Sequence, residues 1–162
     1  MRHTARLGVG AAVIAVVVTA SACGGGSTPG ACGGVGVTSG VGVMFLHRGY
    51  TDLVGASYEL CARGKCVKGE LKQEAITRVS LPLPTDVDPD SGTVRFRVTP
   101  KGSRSPEIDA ATDVELTHQS DGCGGGAYNR WLAFTKEGGL TTKIPASVTA
   151  AWREHLNSMT SP

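Results

Sequence analysis

The stretch Thr93-Val94-Arg95-Phe96-Arg97-Val98-Thr99 decides the fold class of this chain. Apolar and polar side chains alternate along it, so Val94, Phe96 and Val98 share one face of an extended backbone. Alternation with period two is typical of a strand that buries one face in a core and exposes the other to water. The stretch therefore predicts a half-buried β-strand.

Other parts of the chain carry related patterns, and turn-forming residues separate them. The further predicted strands are 41–46, 56–60, 66–71, 76–81, 113–118 and 128–134. Two of these, 41–46 and 128–134, are more continuously apolar than the others, as central strands buried on both faces can be. About seven short strands at this spacing predict an all-β protein, an antiparallel β-sandwich over residues 32–144, with a barrel as the competing architecture.

The last segment follows a different period. The apolar or half-apolar positions of 145–159 have three-and-four spacing, which places them on one helix face: Val148, Trp152, His155, Leu156 and Met159. Pro145 suits the first turn of a helix. We predict that 145–162 forms a short C-terminal helix packed against the sandwich edge with Trp152 as its anchor, or else a frayed tail.

The amino-terminal residues have the layout of an export signal. Arg2, His3 and Arg6 precede an uncharged run of twelve residues, 7–18. A helix of that length spans about 18 Å, whereas the hydrocarbon core of a bilayer is roughly 30 Å thick. Residues 1–22 are therefore predicted to be a signal peptide and not a permanent membrane span.

The end of that signal, Ala20-Ser21-Ala22-Cys23, resembles the lipobox of bacterial lipoproteins. The resemblance implies that Cys23 is acylated, that residues 1–22 are removed, and that 23–31 is a lipidated cysteine with a flexible tether. Ala20 departs from the larger aliphatic residue usual at its position. The expected location is the extracytoplasmic face of the cell membrane, with membrane lipid as a partner through acylated Cys23. The alternative is an ordinary signal cut after Ala22, with Cys23 in a disulfide.

Charge and composition restrict the classes of partner. The chain has 16 basic and 14 acidic side chains, and because Arg2 and Arg6 belong to the signal, the remainder is balanced at 14 of each. A balanced chain without a basic stripe gives no reason to expect nucleic-acid binding. About 130 residues beyond the tether suffice for one domain, and no cofactor is expected.

Four cysteines remain once Cys23 is set aside. An even number in an oxidising compartment predicts two disulfides, with three possible pairings. A two-residue turn at 63–64 would place Cys61 and Cys66 opposite each other as a non-hydrogen-bonded pair, close enough to bond. Cys32 would then pair with Cys123. A zinc site built from the same thiolates is disfavoured because paired CxxC spacing is absent from the sequence.

One acidic segment is a weak calcium candidate. Asp86, Asp88 and Asp90 alternate as oxygen ligands do in calcium loops. Ser91 and Arg97, however, occupy the loop positions where an EF-hand has glycine and a bidentate glutamate. The favoured interpretation is an acidic, solvated hairpin turn.

Catalytic and basic residues give only weak indications of function. His47, His118 and His155 have no metalloprotease spacing, and the sequence contains no nucleophile elbow, P-loop or dinucleotide fingerprint. A cleft joining the first two histidines to an acid would favour an enzyme. A basic cluster at Arg63, Lys65 and Lys68 could touch anionic lipid or a wall polymer, although solvated surface charge is the commoner explanation.

A looser resemblance concerns the folded part. The segments Cys61-Ala-Arg-Gly-Lys-Cys66 and Cys123-Gly-Gly-Gly-Ala-Tyr128, set within a sandwich, resemble small immunoglobulin-like lipoproteins of actinobacteria over residues 32–143. That resemblance implies an immunoglobulin-like, noncatalytic module that binds or scaffolds at the cell envelope, with an envelope protein or a wall polymer as partner. The alternative is a cell-envelope enzyme or accessory subunit whose site is not visible as a motif.

Overall fold

Nine strands and one helix make up the part of the chain that the computed structural model describes, residues 37–50, 52–122 and 124–160. The strands are β1 (Gly40–Leu46), β2 (Ser57–Ala62), β3 (Lys65–Glu70), β4 (Ile76–Pro82), β5 (Asp90–Thr99), β6 (Ile108–Glu115), β7 (Thr117–Ser120), β8 (Gly126–Thr135) and β9 (Gly139–Thr141). The helix is α1 (Ala146–Thr160). Each of the seven predicted strands overlaps an observed one. The signal, Cys23 and Cys32 lie outside the described residues.

The strands form two sheets. A five-stranded sheet has the order β4-β1-β8-β7, with β9 also paired to β8, and a four-stranded sheet has the order β3-β2-β5-β6. All pairs are antiparallel except β1 with β8, which run parallel from Gly40 opposite Asn129 to Phe45 opposite Phe134. The all-antiparallel prediction is therefore wrong at this pair. Local alternation cannot reveal which way a distant neighbour runs.

The two sheets pack face to face around one hydrophobic core. Phe45 and Phe134 from the five-stranded sheet meet Phe96 from the four-stranded sheet, with ring centroids 5.7 to 5.9 Å apart. Val94, Phe96 and Val98 are fully buried, as the opening stretch predicts. Two separate sheets with a shared core form a sandwich arrangement, so the barrel alternative is wrong.

One predicted strand, 113–118, spans a change of sheet. β6 ends at Glu115 in the four-stranded sheet, and β7 begins at Thr117 in the five-stranded sheet. Leu116 lies between them and donates its backbone N–H to the carbonyl of Pro89 at 2.7 Å. Val114 and Leu116 are both buried, as predicted. The acidic segment 86–92 includes the end of the connection from β4 to β5 and the first residues of β5. Because β4 and β5 belong to different sheets, the prediction of a hairpin turn there is wrong.

The C-terminal helix is present and packed. Val148 is fully buried in a small cluster with Leu46, Ile76 and Ala133, which come from β1, β4 and β8. These positions point away from the main core, so α1 covers the outer face of the five-stranded sheet and not the sandwich edge. Within the described residues, no helix is both long and apolar enough to cross a membrane.

Candidate functional site

The disulfide hairpin forms as its turn geometry predicts. Arg63 and Gly64 both have positive φ, 50° and 71°, which closes a tight two-residue turn between β2 and β3. Cys61 pairs with Cys66 in register, and the two are joined by a disulfide with Cα atoms 4.1 Å apart. Their side chains lie on the outer face of the four-stranded sheet, because neighbouring Leu60 points into the core. The Cys32–Cys123 pairing and lipidation of Cys23 fall on undescribed residues and stay predictions.

The calcium candidate gains no support from the geometry. The Asp88 carboxylate accepts a hydrogen bond from the backbone N–H of Asp90, and the Asp90 carboxylate accepts one from Gly92. These bonds build local turns and do not bring Asp86, Asp88 and Asp90 together. The one trio of potential metal ligands within the described residues is Glu59 with Cys61 and Cys66, whose sulfurs are bonded to each other.

A row of alternating charges crosses the outer face of the four-stranded sheet. Lys68, Glu59, Arg97 and Asp109 stand side by side on β3, β2, β5 and β6. Lys68 Nζ lies 2.9 Å from Glu59 Oε1, and Arg97 lies 3.5 Å from Glu59 Oε2 and 3.3 Å from Asp109 Oδ1. Arg95 adds a two-pronged pair with Asp109 at 2.6 and 2.5 Å. With Arg95 included, three basic side chains face two carboxylates, so this charged row has a net charge of +1.

The charged row lowers the pKa values of its two carboxylates, Asp109 and Glu59. Hydrogen bonds from Arg95, then from Arg97, lower the pKa of Asp109 from 3.8 to about 2. The hydrogen bond from Lys68 lowers the pKa of Glu59. Exposed ion pairs of this kind contribute little to stability.

Lys68 is paired with Glu59, and the guanidinium of Arg63 donates to backbone carbonyls of the 88–90 segment. The predicted basic cluster is thus partly engaged within the molecule.

The histidines are dispersed. His47 Nε2 lies 2.7 Å from Thr77 Oγ1, and burial lowers its pKa while nearby Glu74 opposes that shift. His118 packs edge-on against Tyr128, and His155 stacks on Trp152 of α1. His47 and His118 lie near opposite ends of β8. Phe45, two residues before His47, pairs with Phe134, whereas His118 pairs with Tyr128. Residues 128 and 134 are about 20 Å apart along the strand. The cleft that would have favoured an enzyme therefore does not form around them.

A groove on the outer face of the five-stranded sheet is a concave candidate site within the described residues. Its volume is about 530 Å³, within the range of small-molecule sites. Gly40 is one of its lining residues, and a Cβ added there would lie 2.7 Å from the carbonyl oxygen of Leu81. The walls are Ser80 and Pro82 on β4, Asn129 and Gln119 on β8 and β7, and Trp131 at one end. We call this site the glycine groove.

The end wall of the glycine groove is held in place from two sides. The Trp131 ring lies directly over Gly42, where an added Cβ would come within 2.3 to 2.7 Å of ring carbons. The Arg78 guanidinium carbon lies 4.2 Å from the centroid of the Trp131 ring and 4.6 Å from that of Trp152. Arg78 thus links the groove wall to α1 by two cation–π contacts.

Sequence reasoning did not find the glycine groove. A glycine inside a strand pattern indicates the close approach of another group. Gly42 lies within the apolar segment 41–46, and Gly40 lies just before it, so the sequence did contain this signal. The approaching group, Trp131, is 89 residues away from Gly42 and adjacent to it only through the parallel pairing. No family model, curated protein or solved structure matches the chain.

Proposed function

We propose that this protein is an exported lipoprotein, held by acylated Cys23 on the extracytoplasmic face of the cell membrane, whose β-sandwich is a noncatalytic binding module of the envelope. The glycine groove is the observation that carries the binding role. It is concave and built on a rigid sheet, where a site is positioned more accurately than on loops. The anchor rests on the signal layout and the lipobox resemblance.

A binding role is favoured over catalysis by the surroundings of the groove. Its lining contains no histidine, cysteine or carboxylate that could act as nucleophile or general base. His47 and His118 lie at distant points of the sheet and are engaged with Thr77 and Tyr128. The other outer face carries the charged row, whose Glu59, Lys68, Arg97 and Asp109 line a concave site of about 430 Å³ and offer a surface for an envelope protein or wall polymer.

We further propose an immunoglobulin-like relationship for the sandwich. Two antiparallel-rich sheets around one core are compatible with that class, and the Cys61–Cys66 hairpin supports the resemblance noted in the sequence.

Metabolic labelling tests the anchor. Cells expressing the full chain are fed an alkyne fatty acid, and the wild type is compared with Cys23→Ala and with Cys61→Ala as a control cysteine. We expect label in the wild type and in Cys61→Ala, and none in Cys23→Ala. Equal labelling of all three, or recovery of unlabelled protein that retains Met1, contradicts the lipoprotein assignment.

A further inference from the structure

We propose that the glycine groove binds a neutral oligosaccharide. The inference rests on the proposed function, because it names the class of ligand that the binding module takes. Three observations point to this class: the charge of the lining, its hydrogen-bonding groups and its position on the sheet.

The lining excludes charged ligands. Charged side chains make up 19% of the chain, yet none of the residues that line the groove is ionisable. A phosphate, carboxylate or ammonium group entering the groove would give up part of its hydration without gaining an opposite charge. The ligand that fits this lining is uncharged.

The lining also disfavours a purely apolar ligand. Asn129 Nδ2 donates to Gln119 Oε1 at 2.9 Å, which fixes both amides and leaves the Asn129 carbonyl and the Gln119 NH₂ group available. Ser80 adds an exposed hydroxyl that has no side-chain partner within the described residues. An apolar ligand would desolvate these groups without replacing their hydrogen bonds. Sugar hydroxyls both donate and accept, so they satisfy an amide carbonyl, an amide NH₂ and a hydroxyl together.

The position of the groove separates a saccharide from a peptide strand. Extended peptides bind sheets by adding to an edge, where backbone groups are unpaired. The groove lies instead on the face of β1, whose backbone already pairs with β4 on one side and β8 on the other. Recognition must come from side chains, and the immobilised Trp131 bounds the site at one end. These features suit a flat sugar ring.

Tryptophan fluorescence tests the proposal directly. The chain has two tryptophans, so Trp152→Phe leaves Trp131 as the sole reporter, at the groove wall. We titrate this full-length variant, in detergent, with neutral linear tetrasaccharides of glucose, galactose and N-acetylglucosamine. The expected result is a saturable change with at least one of them at or below about 10 mM, mirrored by calorimetry of the wild type.

Charge controls of matched shape sharpen the test. Asn129→Asp places a negative charge in the groove and is expected to weaken binding at least about tenfold. Gln73→Glu, an exposed position on the β3–β4 connection, adds the same charge elsewhere and should leave affinity unchanged. A deacetylated, cationic form of the N-acetylglucosamine tetramer should not bind the wild type.

The outcomes separate this inference from the proposed function. Absence of binding to all three neutral tetrasaccharides, or equal loss in Asn129→Asp and Gln73→Glu, overturns the saccharide inference and leaves the anchored module standing. Saturable binding of an uncharged peptide in place of sugar overturns it as well. Loss of fatty-acid labelling, by contrast, contradicts only the anchor.

Discussion

Gly42 is the position at which one added methyl group should be most informative. An alanine Cβ there would lie 2.3 Å from the nearest ring carbon of Trp131, whereas ordinary contact begins near 3.4 Å. The indole must therefore move by about 1 Å, and Arg78 is stacked on that ring at 4.2 Å. We expect Gly42→Ala to disturb the groove wall as well as the strand.

The expected size of the effect follows from overpacking. Inserting a methyl group into a well-packed site costs about 1–3 kcal/mol. Replacing glycine by alanine in an unhindered strand instead gains roughly 0.5–1 kcal/mol of chain entropy. The sign of the change in unfolding free energy thus depends on whether the indole is present over Gly42.

A double-mutant cycle measures that dependence. Urea unfolding of the wild type, Gly42→Ala, Trp131→Ala and the double variant gives the cost of the methyl group with and without the ring. We expect destabilisation by about 1–3 kcal/mol in the wild-type background and no cost, or a small gain, in the Trp131→Ala background. An equal cost in both backgrounds would refute the argument that Trp131 occupies the side-chain space of Gly42.

Three further predictions concern ionisation and packing. The Asp109 carboxylate should titrate near pH 2 by NMR, so the stability that its ion pairs contribute is full above its ordinary pKa of 3.8 and is lost as the pH falls through about 2. Arg95→Gln should move the titration midpoint upward, and an unmoved midpoint contradicts the pairing. Val148→Ala should destabilise by about 2 kcal/mol because Val148 is fully buried under α1, whereas Val54→Ala, 47% exposed, should change stability little; equal effects would refute the packed helix. Burial lowers the pKa of His47, so stability should decline as the pH falls through 6.5, and His47→Gln should flatten that decline in thermal unfolding; a flat wild-type profile contradicts the shift.

The local features of the fold were predictable from the sequence. Alternation at Val94, Phe96 and Val98 identified β5 because burial of one face imposes period two on the chain. The Cys61–Cys66 pair followed from the turn length alone, since a two-residue turn fixes which residues face each other. The three-and-four spacing of 145–159 predicted a helix, and each end of that pattern lies within one residue of the ends of α1, Ala146–Thr160.

Features that depend on distant neighbours were not predictable in this way. Val114 and Leu116 keep their alternation across the break between β6 and β7, because both side chains point to the same core while the backbone changes sheet. The glycine groove arises from the register of Gly40 with Asn129 and Pro82, a relation that local periodicity does not contain. The parallel direction of β8 relative to β1 and the sheet face that α1 covers also depend on distant neighbours, so local periodicity did not predict them.

The parallel contact between β1 and β8 also constrains how the molecule is made. β1 is an interior strand of its sheet, flanked by β4 and by β8, which is synthesised late. Just before β1, the Ser39 hydroxyl oxygen accepts a hydrogen bond from the backbone N–H of Tyr128, 89 residues further along the chain. Long-range closure of this kind slows folding. The five-stranded layer cannot be completed until β8 has been synthesised. An early stop between β6 and β8 would leave β1 without that neighbour, and such truncated chains should be cleared by proteases and not accumulate.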